Sequence, residues 1–324
     1  MNNFMVTVLT VFVMLLFLVP GYLLTKFKKI DASHLKSIST ILVYAFSPCM
    51  IIDSFLQVER SVEMVKKMSL FAIISIIVQI LFILILFLIF HKKYDDARYR
   101  MLTIGSVCGN VGFFGLPLIK AILPEFPIAM TYSSIFVFTM NLIVFTIGSF
   151  CITRDKKYIS FKSIFLNPTT ISIIIAVILY ACNFKFNCGN IFLEKMGEGV
   201  SLLGKMTTPT CMIILGSRLA CIKIKDLINK PFVYINIILK LIIFPLFSYL
   251  FVYFLPFDEV FKISILVLCA TPCASVVLNL AEMYNENQDI AANTVLLTTI
   301  MSIITIPLLL LIVWLNNIFK NSIT

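Results

Sequence analysis

Ten apolar runs of about twenty residues dominate the chain, and each is long enough to cross the hydrocarbon core of a membrane. Only helices or closed barrels satisfy backbone polar groups in lipid, and a barrel strand would alternate at period two instead of forming a long apolar run. The sequence therefore predicts an all-α polytopic membrane protein with ten transmembrane helices. We number the runs as spans 1 to 10, and they cover about residues 4–25, 37–57, 68–90, 101–121, 128–151, 164–182, 197–217, 231–254, 261–283 and 290–315.

The composition excludes a soluble fold and favours membrane lipid over nucleic acid as a partner. Hydrophobic residues make up 60% of the 324 residues and charged residues 13%, whereas a soluble domain is about half apolar and a quarter charged. The net charge of +10 lies mostly in short basic loops between the spans, which favours contact with anionic membrane lipid over nucleic acid. No cluster of histidine, cysteine and carboxylate residues has the spacing of a metal or catalytic site, so we expect no metal, no cofactor and no enzymatic activity.

Lysine and arginine are distributed unevenly between the two sides of the predicted spans. The loops that follow spans 1, 3, 5, 7 and 9 hold sixteen of them, and the opposite side holds eight. Because loops rich in lysine and arginine stay in the cytoplasm, the loops after odd-numbered spans are predicted to be cytoplasmic. Both termini are then predicted to face outside.

The second half of the chain repeats the first at an offset of 161 residues. Shifting spans 1 to 5 by that offset places them on spans 6 to 10, and Pro48 then falls on Pro209. Because each half has five spans, an odd number, the second half must be inverted relative to the first. We therefore predict two inverted five-helix repeats, residues 1–156 and 157–324, within one integrated membrane domain. The alternative is a chance alignment of ten evenly spaced helices.

Spans 4 and 9 both carry helix breakers near their centres. Span 4 contains Gly109 and Gly112 around Asn110, and span 9 contains residues 271–275 with Pro272. Two helices unwound at the same depth can cross there, and their unpaired backbone groups are tolerable only inside protein or beside a cavity. Half-helix N-termini that face such a gap carry partial positive charge, which suits an anion. Two ordinary kinked helices packed on glycine are the alternative.

The stretch Asn110-Val111-Gly112-Phe113-Phe114-Gly115-Leu116-Pro117-Leu118 resembles the Asn-x-x-x-x-Gly-x-Pro-Leu signature of the auxin efflux carrier family. That family includes the plant PIN proteins and many bacterial permeases. Residues 271–284, followed by Asp289 and Pro307, resemble its ninth and tenth helices, residues 212–216 its seventh helix, and Ser47-Pro48 its second. The resemblance covers nearly the whole chain and is most specific in spans 4 and 9.

The resemblance implies a ten-helix fold with a scaffold part and a mobile transport part, in which helices 4 and 9 cross. It also implies a homodimer and a substrate carboxylate near Asn110. The link between spans 5 and 6, about residues 152–163, is short, which is typical of the minimal bacterial form and implies the inner (plasma) membrane of a bacterial cell. Gly109 departs from the plant motif, which has a proline at that position.

The candidate substrate site combines the two breaks with polar residues of neighbouring spans. Asn141 matches a glutamine in the family's fifth helix. Lys240 lies in the middle of span 8 and has two open roles, a charge at the site or a structural bond to a carbonyl of a broken helix. Lys205, also inside a span, is expected to reach the membrane surface or a polar contact. The predicted substrate-binding residues are Asn110, Val111, Gly112, Pro117, Asn141, Lys240, Thr271, Pro272, Cys273 and Ser275.

These features predict a secondary transporter that exports or exchanges a small organic anion, a carboxylate, by alternating access with an elevator-like motion. Malate or an aromatic carboxylate is implied by the resemblance alone. No aspartate or glutamate is predicted at mid-depth to couple transport to protons or sodium. An anion that leaves a negative-inside cell gains about 2.3 kcal/mol per charge per 100 mV, so export would need no coupling. An anion channel or membrane sensor is the alternative, and a membrane-embedded enzyme would need a catalytic cluster at depth.

Overall fold

The computed structural model describes residues 9, 12, 13, 16–220, 231–283 and 287–323 of the chain. Within these ranges the regular elements are helices and no strand occurs, which confirms the all-α prediction. The N-terminal part of span 1, residues 4–8, lies outside the described residues. Five described helices are long and apolar enough to cross a membrane, as expected of a polytopic membrane protein: His34–Leu56, Val62–Lys93, Pro127–Thr153, Pro231–Tyr253 and Gln288–Ile312.

The described α-helices follow the predicted spans within a few residues at most ends. In chain order they are Leu18–Lys26, Ala32–Ile41, Ser47–Leu56, Val62–Phe90, Ala97–Val107, Leu116–Ile122, Pro127–Ile143, Ser149–Thr153, Phe161–Phe165, Pro168–Ala181, Ile191–Lys205, Thr207–Ala220, Pro231–Ile238, Phe244–Tyr253, Glu259–Cys269, Ser275–Met283 and Gln288–Ile323. Single π turns interrupt spans 2, 4, 5 and 8, and such turns are frequent at functional sites. The π turns are Leu42–Phe46, Val111–Gly115, Val144–Gly148 and Leu239–Ile243.

Polar side chains cap the starts of several helices. Ser61 Oγ accepts a hydrogen bond from the N–H of Met64, 3.1 Å away, at the start of span 3. Asp258 Oδ1 accepts one from the N–H of Phe261, 2.9 Å away, at the start of span 9. Because the first N–H groups of a helix have no partner within it, these caps fix where the helices begin.

Span 7 differs from its predicted bounds of 197–217. Its first helix already begins at Ile191, because Asn190 Oδ1 accepts hydrogen bonds from two N–H groups of the first turn, at 2.9 and 3.3 Å. The helix is interrupted after Lys205, shortly before Pro209, whose missing N–H and bulky ring disfavour an uninterrupted helix. The side chain of Lys205 is exposed at this point, in keeping with a lysine that reaches polar surroundings.

The spans pack into two bundles. Bundle A contains spans 1, 2, 6 and 7, and bundle B contains spans 3, 4, 5, 8, 9 and 10. Spans 1 and 7 of bundle A approach so closely that a Cβ atom on Gly21 would clash with the backbone of Ile213, and one on Gly216 with the backbone of Leu18. Ser217 Oγ also donates a hydrogen bond to the carbonyl of Gly21, at 3.0 Å. Small residues at a crossing allow this close backbone contact between membrane helices.

Buried aromatic contacts hold bundle B together. The ring of Phe71 in span 3 stacks on Tyr132 in span 5, with centroids 4.2 Å apart, and meets Phe261 in span 9 edge to face at 4.9 Å. All three residues are almost fully buried. Such aromatic pairs stabilise a core beyond the burial of their surface, by about 0.5–1.5 kcal/mol each.

Candidate functional site

Two broken helices define the centre of bundle B. In span 4, helix Ala97–Val107 ends and helical structure resumes with the π turn Val111–Gly115 and helix Leu116–Ile122. In span 9, helix Glu259–Cys269 ends and helix Ser275–Met283 follows. The breaks therefore lie where the glycine and proline residues predict them.

The two breaks meet in a short antiparallel β-bridge between Gly109 and Cys273. Its hydrogen bonds run from Asn110 N to Pro272 O at 2.7 Å and from Ala274 N to Cys108 O at 3.0 Å. The unwound segments thus pair their backbone groups with each other. Because an unpaired backbone group inside a membrane is costly, this pairing makes the crossing tolerable.

Gly109 and two threonines shape the crossing. A Cβ atom on Gly109 would clash with Oγ1 of Thr271, so glycine at this position allows the threonine side chain to lie against the backbone of the first break. Thr271 Oγ1 donates to the carbonyl of Leu268 at 2.7 Å. In span 10, Thr298 Oγ1 accepts a hydrogen bond from the N–H of Cys273 at 3.0 Å. Side chains of spans 9 and 10 thereby satisfy groups that the break leaves without helical partners.

Lys240 lies on the carbonyl ends of both broken helices. Its side chain is 0% exposed, and its Nζ donates to the carbonyls of Val107 and Cys269, each at 3.1 Å. These two residues are the last of the helices that precede the breaks. Because helix C-termini carry partial negative charge, a lysine amino group is well suited to this position. The contacts are those of the structural role, and a further role of Lys240 toward a substrate stays a prediction.

Two buried asparagines have free hydrogen-bonding capacity, one at the crossing and one in the neighbouring span 5. Asn110 is 8% exposed, and its Oδ1 accepts from the N–H of Phe113 at 3.4 Å as the cap of the second half of span 4. Asn141 is 7% exposed and lies in span 5, which packs against Val111–Gly115. Neither the Nδ2 of Asn110 nor the side-chain amide of Asn141 makes a hydrogen bond within the part of the chain that the structure describes.

The helical segments that follow the breaks begin at Val111 and Ser275. Val111 is fully buried, whereas a Cβ atom on Gly112 would meet nothing within 4 Å, so there is free space beside this first turn. Ser275 Oγ accepts a hydrogen bond of 3.0 Å from Nη1 of Arg218, which projects from span 7 of bundle A. The two half-helix N-termini, with their partial positive charge, therefore lie next to the crossing.

The structure brings most of the predicted site residues to one place. Seven of them lie on the crossing or at the start of a half-helix: Asn110, Val111, Gly112, Thr271, Pro272, Cys273 and Ser275. Lys240 contacts the crossing from span 8, and Asn141 lies in the neighbouring span 5. Pro117 is buried in helix Leu116–Ile122, more than one turn beyond the break. Their use in substrate binding stays a prediction.

Arg218 and Thr298 are the residues at the crossing that the sequence did not indicate. The apolar run of span 7 stops at residue 217, which predicts a loop position for Arg218, yet the helix extends to Ala220. Thr298 is one of several threonines in span 10, and only its contact with Cys273 distinguishes it.

Comparison with known proteins agrees with this architecture. A family model described as "Membrane transport protein" matches residues 3–310. An uncharacterized transporter of Methanocaldococcus jannaschii is 26% identical over 308 residues, which cover 92% of this chain and 96% of the relative. The similarity thus extends over both halves of the chain, including both broken helices.

Proposed function

We propose that the chain exports or exchanges a small organic anion by alternating access. It belongs to the membrane transport protein family, which is the auxin efflux carrier family that its motifs resemble. Membership of this family makes the chain a transport protein and not an enzyme. The proposal extends to the substrate class, a carboxylate, and to the mechanism, that of a secondary transporter.

Two amides with free donors, of Asn110 at the crossing and of Asn141 in the neighbouring span 5, carry the proposal for the substrate. The Nδ2 of Asn110 and the amide of Asn141 have no partner among the described residues and stay in part accessible, so they are available to a ligand acceptor. Two half-helix N-termini beside them favour negative charge. A carboxylate offers both properties, because it is an anion and accepts several hydrogen bonds.

The ten-span inverted repeat is part of the proposal. The bridge joins residues 164 apart, Gly109 and Cys273, and the helices before the breaks end at residues 162 apart, Val107 and Cys269. These offsets are close to the 161 residues that relate the two halves of the sequence. The agreement supports equivalent roles for spans 4 and 9, which is the arrangement that places a substrate at the midplane of an inverted-repeat carrier.

The two bundles supply the parts for an elevator-like motion. The crossing lies wholly within bundle B, while bundle A packs spans 1 and 7 tightly on glycine. We propose that bundle A is the scaffold and that bundle B carries the substrate across the membrane as one body. The proposed setting is the inner (plasma) membrane of a bacterial cell, with membrane lipid around a homodimer and with both termini outside.

Substitution of Asn110 tests the site. We expect Asn110→Ala to lose measurable carboxylate binding in calorimetry, with benzoate and malate as probes, while its melting temperature stays within a few degrees of wild type. The matched control is Asn190→Ala, which removes the amide that caps helix Ile191–Lys205 and should leave affinity unchanged. Wild-type affinity in a folded Asn110→Ala protein would remove Asn110 from the site. Saturable counterflow in proteoliposomes would separate a carrier from the alternative, an anion channel or sensor.

A further inference from the structure

We propose that Arg218 binds the negatively charged group of the substrate and guides the substrate into the crossing. The substrate enters from the side that is predicted to be cytoplasmic because its loops are rich in lysine and arginine. The inference rests on the proposed function, because it assumes that an anion occupies the crossing. It adds a residue of bundle A to the site, whereas the ten substrate-binding residues predicted from the sequence all lie in bundle B.

The contacts of Arg218 leave most of its hydrogen-bonding capacity unused. Its side chain is exposed, and its Nη1 donates to Ser275 Oγ at 3.0 Å, on the first residue of the second half of span 9. Among the described residues it has no carboxylate partner. A guanidinium group has five N–H donors in a planar fork that fits a carboxylate. Arg218 can therefore hold the serine and still offer paired donors to an anion.

The position of Arg218 favours a role in binding substrate over a role in stabilising one bundle. The hydrogen bond to Ser275 crosses from bundle A to bundle B, and it ends beside the half-helix N-terminus. Two positive groups in one place repel each other, and an anion between them would relieve that repulsion. The contact thus favours the loaded crossing on this side of the protein.

The repeat supplies an internal comparison. At the offset of 161 residues, the equivalent of Arg218 is Gln57, at the opposite side of bundle A. Gln57 is uncharged, and its Nε2 donates to Asp53 Oδ2 at 2.7 Å. The side chains of Gln57 and Asp53 line a cavity of about 50 Å³, and Lys120 of span 4 lines the same cavity. Among the described residues, one side of bundle A therefore presents an arginine without a carboxylate partner. On the other side the formal charges of Asp53 and Lys120 cancel beside a neutral glutamine, so an anion is attracted more strongly to the arginine side.

The experiment compares Arg218→Gln, Arg218→Lys and wild type in the purified full-length protein. Binding of benzoate, malate and the neutral benzamide is measured by calorimetry, and counterflow of the bound carboxylate is measured in proteoliposomes. Arg98→Gln is the matched control, because it removes the same charge from an exposed arginine that pairs with Asp96 on the same predicted side. The melting temperature of each variant is recorded on the same preparation.

We expect Arg218→Gln to bind the carboxylates at least about tenfold more weakly, because it loses charge-assisted hydrogen bonds, while any binding of benzamide and the melting temperature are retained. Arg218→Lys should keep part of the affinity, and Arg98→Gln should match wild type. In counterflow, the loss should fall mainly on the side of the basic loops. Unchanged carboxylate affinity in Arg218→Gln, or an equal loss for benzamide, would overturn the inference. Failure of wild type itself to bind any carboxylate would instead refute the proposed function, and this inference with it.

Discussion

Replacing Lys240 by methionine tests whether the crossing needs a donor on both broken helices. Methionine keeps an unbranched apolar stem, one atom shorter than lysine, but has no N–H group, so it leaves the carbonyls of Val107 and Cys269 without the two hydrogen bonds that they now accept. Both carbonyls lie beside the buried bridge of Gly109 and Cys273. We expect the variant to be less stable than wild type.

The magnitude follows from the two contacts. Hydrogen bonds that involve a charged group contribute about 1.5–3 kcal/mol each, so loss of both costs about 3–6 kcal/mol. The methionine side chain avoids the desolvation of a buried amine, which offsets part of that cost. A net loss of about 2 kcal/mol would lower the melting temperature by roughly 4–8 °C. Lys240→Gln should lie between methionine and wild type, because its amide retains N–H donors although its side chain is one atom shorter than that of lysine.

The assay is thermal unfolding of purified protein in detergent, with carboxylate affinity measured on the same preparation. Lys205→Gln is the matched control, since that lysine is exposed at a helix end and should change the melting temperature little. A Lys240→Met protein that melts with wild type would refute the structural role. If that protein also lost carboxylate affinity, the charge at Lys240 would serve the substrate, which is the other role that the sequence leaves open.

Two further predictions concern the crossing and the orientation. Gly109→Ala should destabilise the protein by about 1–3 kcal/mol, because its Cβ would clash with Thr271, whereas Gly112→Ala, where the space is open, should leave the melting temperature nearly unchanged; equal melting temperatures of the two variants would contradict the packing argument. Single cysteines at Asn2 and Thr324, which lie outside the described residues, should react with an impermeant reagent in intact cells after the native cysteines are replaced, and protection of both would contradict termini that face outside.

Most helix positions could be predicted because long apolar runs identify the segments that lie in lipid. Span 8 was expected at 231–254, and the structure has helical residues from Pro231 to Tyr253. The start of span 7 was misplaced, because the charged residues after Ile191 lower the hydropathy of a stretch that is nevertheless helical and capped by Asn190. Hydropathy reports what is buried in lipid, whereas a cap decides where a helix begins.

The breaks could also be predicted, but their register could not. Glycine and proline identify the unwound residues. The 161-residue offset makes Asn110 equivalent to Thr271, whereas the residues that the structure bridges, Gly109 and Cys273, are 164 apart. The offset superposes Pro48 of span 2 on Pro209 of span 7, and a difference of a few residues accumulates before spans 4 and 9. The contacts of Lys240 depend on that register and on a π turn in span 8, so the sequence could only leave its two roles open.

Only one of the two equivalent positions, Arg218 and Gln57, contacts the crossing among the described residues. If the two halves were arranged identically, the hydrogen bond of Arg218 to Ser275 would have a counterpart between Gln57 and the start of the second half of span 4. Instead, Gln57 shares its cavity with Lys120, at the far end of that half-helix. Bundle B therefore meets bundle A with the crossing toward the arginine side. A carrier in one of its two end states must be asymmetric in this way, because a symmetric arrangement would favour neither side of the membrane. In the proposed motion, the contact of Arg218 is lost as the crossing moves toward Gln57, so the substrate leaves a positive partner on one side and meets a neutral one on the other.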